Sequence, residues 1–132
     1  MDYKIRIVRY LYFFSLLGLI ILYLFPGSLI GYFLYGDYAR QPDFIPNPLG
    51  TSINHTLAFF YLSILGLISY MRASGFKQTL IFLVVLSSIL ELSHLIIPNR
   101  SFQSLDLLSN LLGTLLATVI IFFYKRLKNG KI

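Results

Sequence analysis

The sequence contains no cysteine, and this absence excludes disulfide bonds and thiolate metal sites. Charged residues are also scarce, because they make up 12% of the 132 residues, whereas about a quarter is usual in a soluble domain. Hydrophobic residues make up 57% of the chain, and its mean hydropathy is +0.76. A soluble fold of this size would leave too much apolar surface uncovered. The composition therefore indicates an integral membrane protein.

Several common functional signatures are missing as well. The chain has no Gly-rich phosphate loop, no His-Glu-x-x-His zinc helix and no recognisable motif of a Ser-His-Asp triad. The net charge of +6 is compatible with nucleic-acid binding, but the basic residues lie at the ends of apolar runs, where they act as topology signals. We therefore expect no nucleic-acid partner, and nothing in the sequence indicates a cofactor.

Four apolar segments approach or reach the length of about 20 residues that a membrane-spanning helix needs. The sequence predicts one all-α domain over 1–132, with spans at about 10–25, 54–70, 79–97 and 105–124. The first segment follows basic residues, as in a signal peptide. However, its apolar run exceeds the usual signal-peptide core and no small-x-small cleavage site follows, so we expect a retained anchor.

The segment between the first two spans, 27–53, has a mixed composition. Leu29–Tyr35 is apolar and aromatic but too short to cross a bilayer, so we expect it to lie in the interface or to re-enter. The part at 41–50 contains Pro42, Pro46 and Pro48, which predicts an irregular loop.

The distribution of Lys and Arg predicts the orientation of the chain. With four spans, two basic residues fall on one side, Arg40 and Arg100, and the other nine of the eleven share the opposite side. Because Lys and Arg accumulate in cytoplasmic loops, both termini are predicted to be cytoplasmic. The segments 27–53 and 98–104 would then lie outside, and the last two spans would form an antiparallel hairpin. The nine residues on the cytoplasmic side are Lys4, Arg6, Arg9, Arg72, Lys77, Lys125, Arg126, Lys128 and Lys131.

A polar cluster near the outer end of the third span is the main functional candidate. Glu91 and His94 lie at i and i+3, so they project from neighbouring positions on one helix face. An ionisable residue at the centre of a bilayer costs about 2.5–3.5 kcal/mol to insert, which makes it a functional-site candidate by default. In a helix that continues to Pro98, Glu91 would lie about 9 Å below Ile97.

The fourth span carries a matching face. Asp106, Asn110, Gly113 and Ala117 follow one another in steps of four, three and four, while Ser109, Gly113 and Ala117 form a ridge of small residues. Such ridges allow membrane helices to approach closely. We therefore predict that Gly113 lies against the third span and that the two polar faces meet near the outer surface.

Each polar residue also has a plainer interpretation. Asp106 can complement a helix dipole with Ser104 as the N-cap, and Asn110 can simply bond one helix to another. His55, at the start of the second span, can be an ordinary interfacial residue, and Arg100 a topology charge. Glu91 has no such role, so we expect Arg100 to pair with it and with Asp106. The alternative is a purely structural polar network.

The spacing Glu91-x-x-His94 also occurs in di-iron helix bundles. Such a site needs a second copy of the motif and two further carboxylates on facing helices. This chain has one copy, so no metal is expected.

The cluster follows the pattern Glu91-x-x-His94-x-x-x-Pro98-x-Arg100-x5-Asp106-x3-Asn110-x-x-Gly113. It resembles the VanZ-like family of small bacterial membrane proteins, whose core reads Glu-x-x-Gln, Pro-x-Arg and Asp-x-x-x-Asn-x-x-Gly. In this chain His94 replaces the usual Gln. His55 matches the His of the family's Asp-Lys-x-x-His, whereas Thr51 and Ser52 replace its Asp and Lys. The resemblance implies a link to low-level resistance to teicoplanin-type antibiotics.

Three functions remain open from the sequence. The first is an outer-leaflet pocket that binds a lipid head group or a cell-envelope precursor, with Arg100 as the anion-binding fork and Asn110 orienting the ligand. The second is an envelope-lipid enzyme with Glu91 or His94 as general base, although no nucleophile is evident. The third is a structural subunit of a larger membrane complex, in which the polar residues only join helices.

The orientation can be tested directly, because the chain has no native cysteine. Cysteines introduced at Ser101 and Asn129 should react with an impermeant thiol reagent from the outside and from the inside of the membrane, respectively. The reverse labelling pattern would contradict the orientation and move the polar cluster to the cytoplasmic leaflet.

Overall fold

The computed structural model describes residues 3–42, 45, 52–71 and 73–128. Within these ranges the chain forms five helices and no strand. The helices are α1 (Tyr3–Leu24), α2 (Leu29–Tyr35), α3 (Ser52–Ser69), α4 (Ala73–Ser93) and α5 (Ser104–Lys128). Pro46, Pro48, Thr51, Arg72, Asn129 and Lys131, which the sequence analysis used, lie outside the described residues.

Four of the helices in the described ranges, all except α2, are long and apolar enough to cross a membrane. This confirms the prediction of an all-helical, multi-pass membrane protein. Each of these helices begins before its predicted apolar span, with α1 beginning at Tyr3, and α5 also continues past its predicted end to Lys128. Polar and basic residues at the ends of a span remain good helix formers, which is why hydropathy alone underestimates helix length.

The end of α4 differs from the prediction. The helix ends at Ser93, not at Ile97, and the main chain continues in tighter i→i+3 bonds from His94 N to Glu91 O (3.1 Å) and from Leu95 N to Leu92 O (3.1 Å). Proline disfavours helical geometry in the residue before it, and the chain leaves the helix earlier than that residue. Glu91 therefore lies two residues from the end of α4, and the continuous helix from Glu91 to Ile97, on which the depth of about 9 Å was based, is not present.

The start of α5 also corrects a detail. The carbonyl oxygen of Gln103 accepts hydrogen bonds from Asp106 N (3.0 Å) and Leu107 N (3.2 Å), so Gln103 occupies the position that precedes the helix. Ser104, which was expected to be the N-cap, is instead the first helical residue.

The short helix α2 follows α1 closely. Ser28 caps its N-terminus by accepting a hydrogen bond from Gly31 N (2.9 Å), and Gly36 ends it in the left-handed conformation at φ 69°. At about 1.5 Å per residue, seven residues are too short to cross a bilayer. The rings of Tyr32 and Tyr38 stack at 4.2 Å beside this helix.

The core of the bundle lies around α3, which packs against α1, α4 and α5. Phe59 and Leu62 of this helix are completely or almost completely buried. Leu62 packs with Tyr12 of α1 and Leu83 of α4, and Phe59 packs with Tyr23 of α1 and Leu90 of α4. The second span, α3, is therefore the central helix.

The ridge of small residues on α5 faces α3, so the prediction that Gly113 lies against the third span, α4, is wrong. A Cβ atom on Gly113 would meet the carbonyl oxygen of Thr56 and would lie 2.8 Å from Phe60 N, both on α3. Ser109 and Ala117 on the same face are also buried. Helical periodicity identified the close-packing face, but it carries no information on which neighbouring helix that face contacts.

We expect Gly113→Leu to lower the thermal unfolding midpoint and the expression level sharply, because the added side chain must push two backbones apart. Overpacking of this kind costs about 1–3 kcal/mol, and more where backbone cannot move. The matched control is Gly18→Leu in α1, whose Cβ position has no described atom within 4 Å. Equal stability of the two variants would show that α5 does not approach α3 at Gly113.

Candidate functional site

Polar side chains from α1, α3, α4, α5 and the 94–103 connection meet at one end of the bundle. We refer to this set as the polar cluster. The sequence-predicted residues His55, Glu91, His94, Arg100, Asp106 and Asn110 are all in it, together with Tyr23 and Ser52, which the sequence analysis did not select.

Tyr23 near the end of α1 is the centre of the polar cluster. Its hydroxyl oxygen lies 2.7 Å from His55 Nδ1 and donates to Asn110 Oδ1 at 2.8 Å. Its ring stacks on the ring of His94 with centroids 5.5 Å apart. A buried tyrosine hydroxyl normally needs a hydrogen-bond partner, so the phenol close to the end of an apolar span was the available signal.

Asp106 is held by α3. Its Oδ1 accepts a hydrogen bond from Ser52 Oγ at 2.7 Å, and its Oδ2 lies 3.6 Å from His55 Nε2. Ser52 and Asp106 are both buried. Asp106 therefore does more than complement the dipole of α5, because it ties the first turns of two membrane-spanning helices together.

The bonds around His55 are compatible with two proton arrangements. If Tyr23 donates to Asn110 Oδ1, then His55 Nδ1 must donate to the Tyr23 hydroxyl. His55 Nε2 then needs a second proton for a favourable contact with the Asp106 carboxylate, so His55 is doubly protonated. If the Asn110 amide is turned by 180°, its NH2 donates to Tyr23, Tyr23 donates to Nδ1 and neutral His55 donates to Asp106. The second arrangement also gives a partner to Asn110 Nδ2, which otherwise has none among the described residues.

Glu91 is completely buried, and its partner is His94. Its Oε1 lies 3.3 Å from His94 Nδ1 and accepts a hydrogen bond from Gln103 N at 3.2 Å. His94 Nε2 lies 3.1 Å from the carbonyl oxygen of Tyr23 and must donate to it, because a carbonyl can only accept. The close contact of Nδ1 with Oε1 then requires one further proton, carried by His94 or by Glu91.

Arg100 binds the end of α1. Its Nε donates to Phe25 O (3.2 Å) and its Nη2 to Leu22 O (2.7 Å), which are carbonyl groups at and just after the end of that helix. The carboxylates of Glu91 and Asp106 instead form their ion pairs with the histidines, and no ion pair in the described ranges involves Arg100. The expectation that Arg100 bridges both carboxylates is therefore wrong.

The guanidinium of Arg100 has no anionic partner among the described residues. Burial lowers its pKa, whereas the field of nearby groups, including Glu91, raises it. A guanidinium stays protonated in proteins, so the charge is retained. Two of its five N–H groups are bonded to carbonyls, and the other three have no partner in the described part of the chain.

Two adjoining cavities lie beside the polar cluster. The larger has a volume of about 200 Å³ and the smaller about 50 Å³, and His55, His94, Arg100 and Gln41 line both. Asp106 lines the smaller cavity. Apolar residues of α1, α2 and α3 complete the wall of the larger one: Leu19, Leu22, Leu29, Ile30 and Ala58.

The described residues contain no group of three or more His, Cys, Asp or Glu side chains placed to hold a metal ion. The arrangement instead offers a partly buried cation, two histidine–carboxylate pairs and a bridging phenol beside two small adjoining cavities.

Comparisons with protein-family models, with curated proteins and with solved structures found no match to this chain. The resemblance to the VanZ-like family therefore rests on the sequence pattern alone. Five residues of this pattern lie in the polar cluster: Glu91, His94, Arg100, Asp106 and Asn110.

The importance of Tyr23 to the site can be measured with Tyr23→Phe. This change removes the hydroxyl that joins His55 to Asn110 and leaves these groups with one long contact of 3.3 Å between His55 Nδ1 and Asn110 Oδ1, so we expect a loss of about 1–3 kcal/mol of stability and a lower thermal unfolding midpoint. Tyr61→Phe is the control, because Tyr61 is exposed and accepts one long bond of 3.4 Å from Ser15. Equal midpoints for the two variants would contradict a central role for Tyr23.

Proposed function

We propose that the protein binds the anionic head group of a membrane lipid or a lipid-linked cell-envelope precursor in the cavity beside the polar cluster. The observation that carries this proposal is Arg100, a partly buried cation that lines both cavities, has three unbonded N–H groups and forms no ion pair with a described residue. A buried charge normally has a counter-ion, and a phosphate or carboxylate would supply it.

The surroundings of Arg100 favour the binding of an anion. Its two bonds to the carbonyls of Leu22 and Phe25 hold the guanidinium in place, and its other three N–H groups remain available to an anion. A planar guanidinium is suited to bidentate recognition of phosphate and carboxylate. Held rigidly in this way, it would lose little conformational entropy when a ligand binds.

The cellular setting is part of the same proposal. Following the Lys and Arg distribution, both termini would be cytoplasmic, the last two spans would form a hairpin and the cavity would lie in the outer leaflet of a bacterial inner membrane. The VanZ-like motif suggests an accessory role in the cell envelope, including low-level resistance to teicoplanin-type antibiotics.

Two alternatives have specific support. A structural subunit is favoured by the many internal bonds of the polar cluster, such as Ser52 to Asp106 and Tyr23 to Asn110, which join different helices without any ligand. An envelope-lipid enzyme is favoured by the proton that Glu91 and His94 must share, since such a pair can act as a general base.

The proposal predicts that Arg100→Gln loses the anionic lipid or precursor that the wild-type protein retains after purification in mild detergent. Glutamine can still donate to a carbonyl at the end of α1 but carries no charge. Native mass spectrometry measures the retained mass directly. Arg40→Gln is the matched control, because Arg40 is exposed and lies over the Tyr35 ring instead of lining either cavity.

The structural alternative predicts a different pattern. Arg100→Gln would retain the same lipids as the wild type, and the stability lost in Glu91→Leu and in His94→Leu would be recovered in the double variant, as is found when a buried ion pair is replaced by apolar residues. That pattern would refute the binding pocket.

A further inference from the structure

The larger cavity has a polar end and an apolar wall that follow the axes of two helices. At the polar end lie His55, His94 and Arg100. On α1, Arg100 is bonded to the carbonyl of Leu22, and Leu19, about one turn earlier in the helix, is part of the apolar wall. On α3, Ala58 lies about one turn after His55 and is also part of the apolar wall. On both helices the lining therefore changes from polar to apolar over about 4.5 Å along the helix axis.

This change from polar to apolar lining matches the orientation of a lipid in a bilayer, with its head group at the surface and its hydrocarbon inside. Ala58 and Leu19 both lie farther into their membrane-spanning helices than the polar residues do. An amphiphile with its charge at Arg100 would run its hydrocarbon along Leu22 and Leu19, parallel to the helix axes. Leu29 and Ile30 of α2 close the wall on the other side.

The size of the cavity favours the smaller of the two head groups that the proposed function leaves open. Its volume of about 200 Å³ is below the roughly 300–1,000 Å³ of pockets that enclose drug-sized ligands. With about 30 Å³ as the liquid volume of one water molecule, the space corresponds to roughly six or seven waters. A phosphate, part of a glycerol and a few methylene groups fill this space, whereas the sugars and peptide of a larger head group would extend out of its open side.

We propose that the ligand is an anionic glycerophospholipid, whose phosphate is bound by Arg100 with the histidines beside it and whose acyl chain lies along the wall formed by α1, α2 and α3. This inference rests on the proposed function and narrows its ligand to a small phosphate head group attached to an acyl chain. The shared chemistry, a phosphate ester, also occurs in water-soluble compounds, so the experiment must separate the contribution of the head from that of the chain.

The test measures binding to the full-length protein in detergent by native mass spectrometry, with defined probes added at equal concentration. The probes are phosphatidylglycerol, zwitterionic phosphatidylcholine, water-soluble glycerol phosphate, inorganic phosphate and a polyprenyl pyrophosphate that carries a disaccharide-peptide head. We expect phosphatidylglycerol to bind at least about tenfold more tightly than phosphatidylcholine, and neither soluble phosphate to displace it at a hundredfold excess.

Two pairs of variants locate the bound lipid. Arg100→Gln should weaken binding of phosphatidylglycerol about tenfold or more, whereas Arg40→Gln should not. Ala58→Phe fills the apolar wall and should weaken it to a similar extent, whereas Leu57→Phe changes the exposed neighbour on the same helix and should leave it unchanged. The second pair keeps the test informative if Arg100→Gln unfolds the protein by releasing the end of α1, and thermal unfolding of each variant identifies that case.

Each remaining outcome contradicts a distinct statement. If only the bulky pyrophosphate lipid binds in an Arg100-dependent way, the glycerophospholipid is wrong and the proposed function stands. If inorganic phosphate or glycerol phosphate competes fully, or Ala58→Phe binds like the wild type, the acyl-chain site is wrong while anion binding at Arg100 stands. If no probe shows Arg100-dependent binding, both the phospholipid and the proposed function are refuted.

Discussion

The close contact between α3 and α5 at Gly113 is the constraint on which the polar cluster depends. Because no side chain separates the two backbones, the residues one and two turns before Gly113 on α5 are brought against the first turns of α3. Asn110 then reaches His55 and Tyr23, and Asp106 reaches Ser52. A larger residue at position 113 would separate both pairs at once, so the packing residue and the polar residues form one unit even though they differ in chemistry.

The sequence was sufficient for the parts of this arrangement that depend on local pattern. Hydropathy identified the four long helices, and helical spacing placed Asp106, Asn110 and Gly113 on one face. It could not identify the helix that receives this face, because a periodic pattern describes one helix and not its neighbour. Tyr23 was not predicted for a related reason: its importance comes from contacts with His55 and Asn110, which lie 32 and 87 residues away in the chain.

Arg100 shows how a correct residue can have the wrong predicted partner. Counting charges near Glu91 suggested an Arg–carboxylate pair, but the carbonyl groups of Leu22 and Phe25 at the end of α1 also need donors. Arg100 satisfies them, and the two carboxylates turn to the histidines. Neutral carbonyls do not compensate a positive charge, so this exchange leaves a fixed cation beside a cavity. An Arg–Glu pair in the same place would have left no charge for an anionic ligand.

The orientation of the Asn110 amide is coupled to the net charge of the polar cluster, because each orientation goes with one proton arrangement of His55. The Glu91–His94 pair with its shared proton is neutral overall, so the balance depends on Arg100, Asp106 and His55. With neutral His55, the positive charge of Arg100 and the negative charge of Asp106 cancel, and the amide donates to Tyr23. With doubly protonated His55, the site carries one net positive charge and Tyr23 donates to the amide oxygen. An anionic ligand of the proposed kind would favour the second state, because it would add a negative charge near His55, so its binding would be thermodynamically linked to proton uptake at His55.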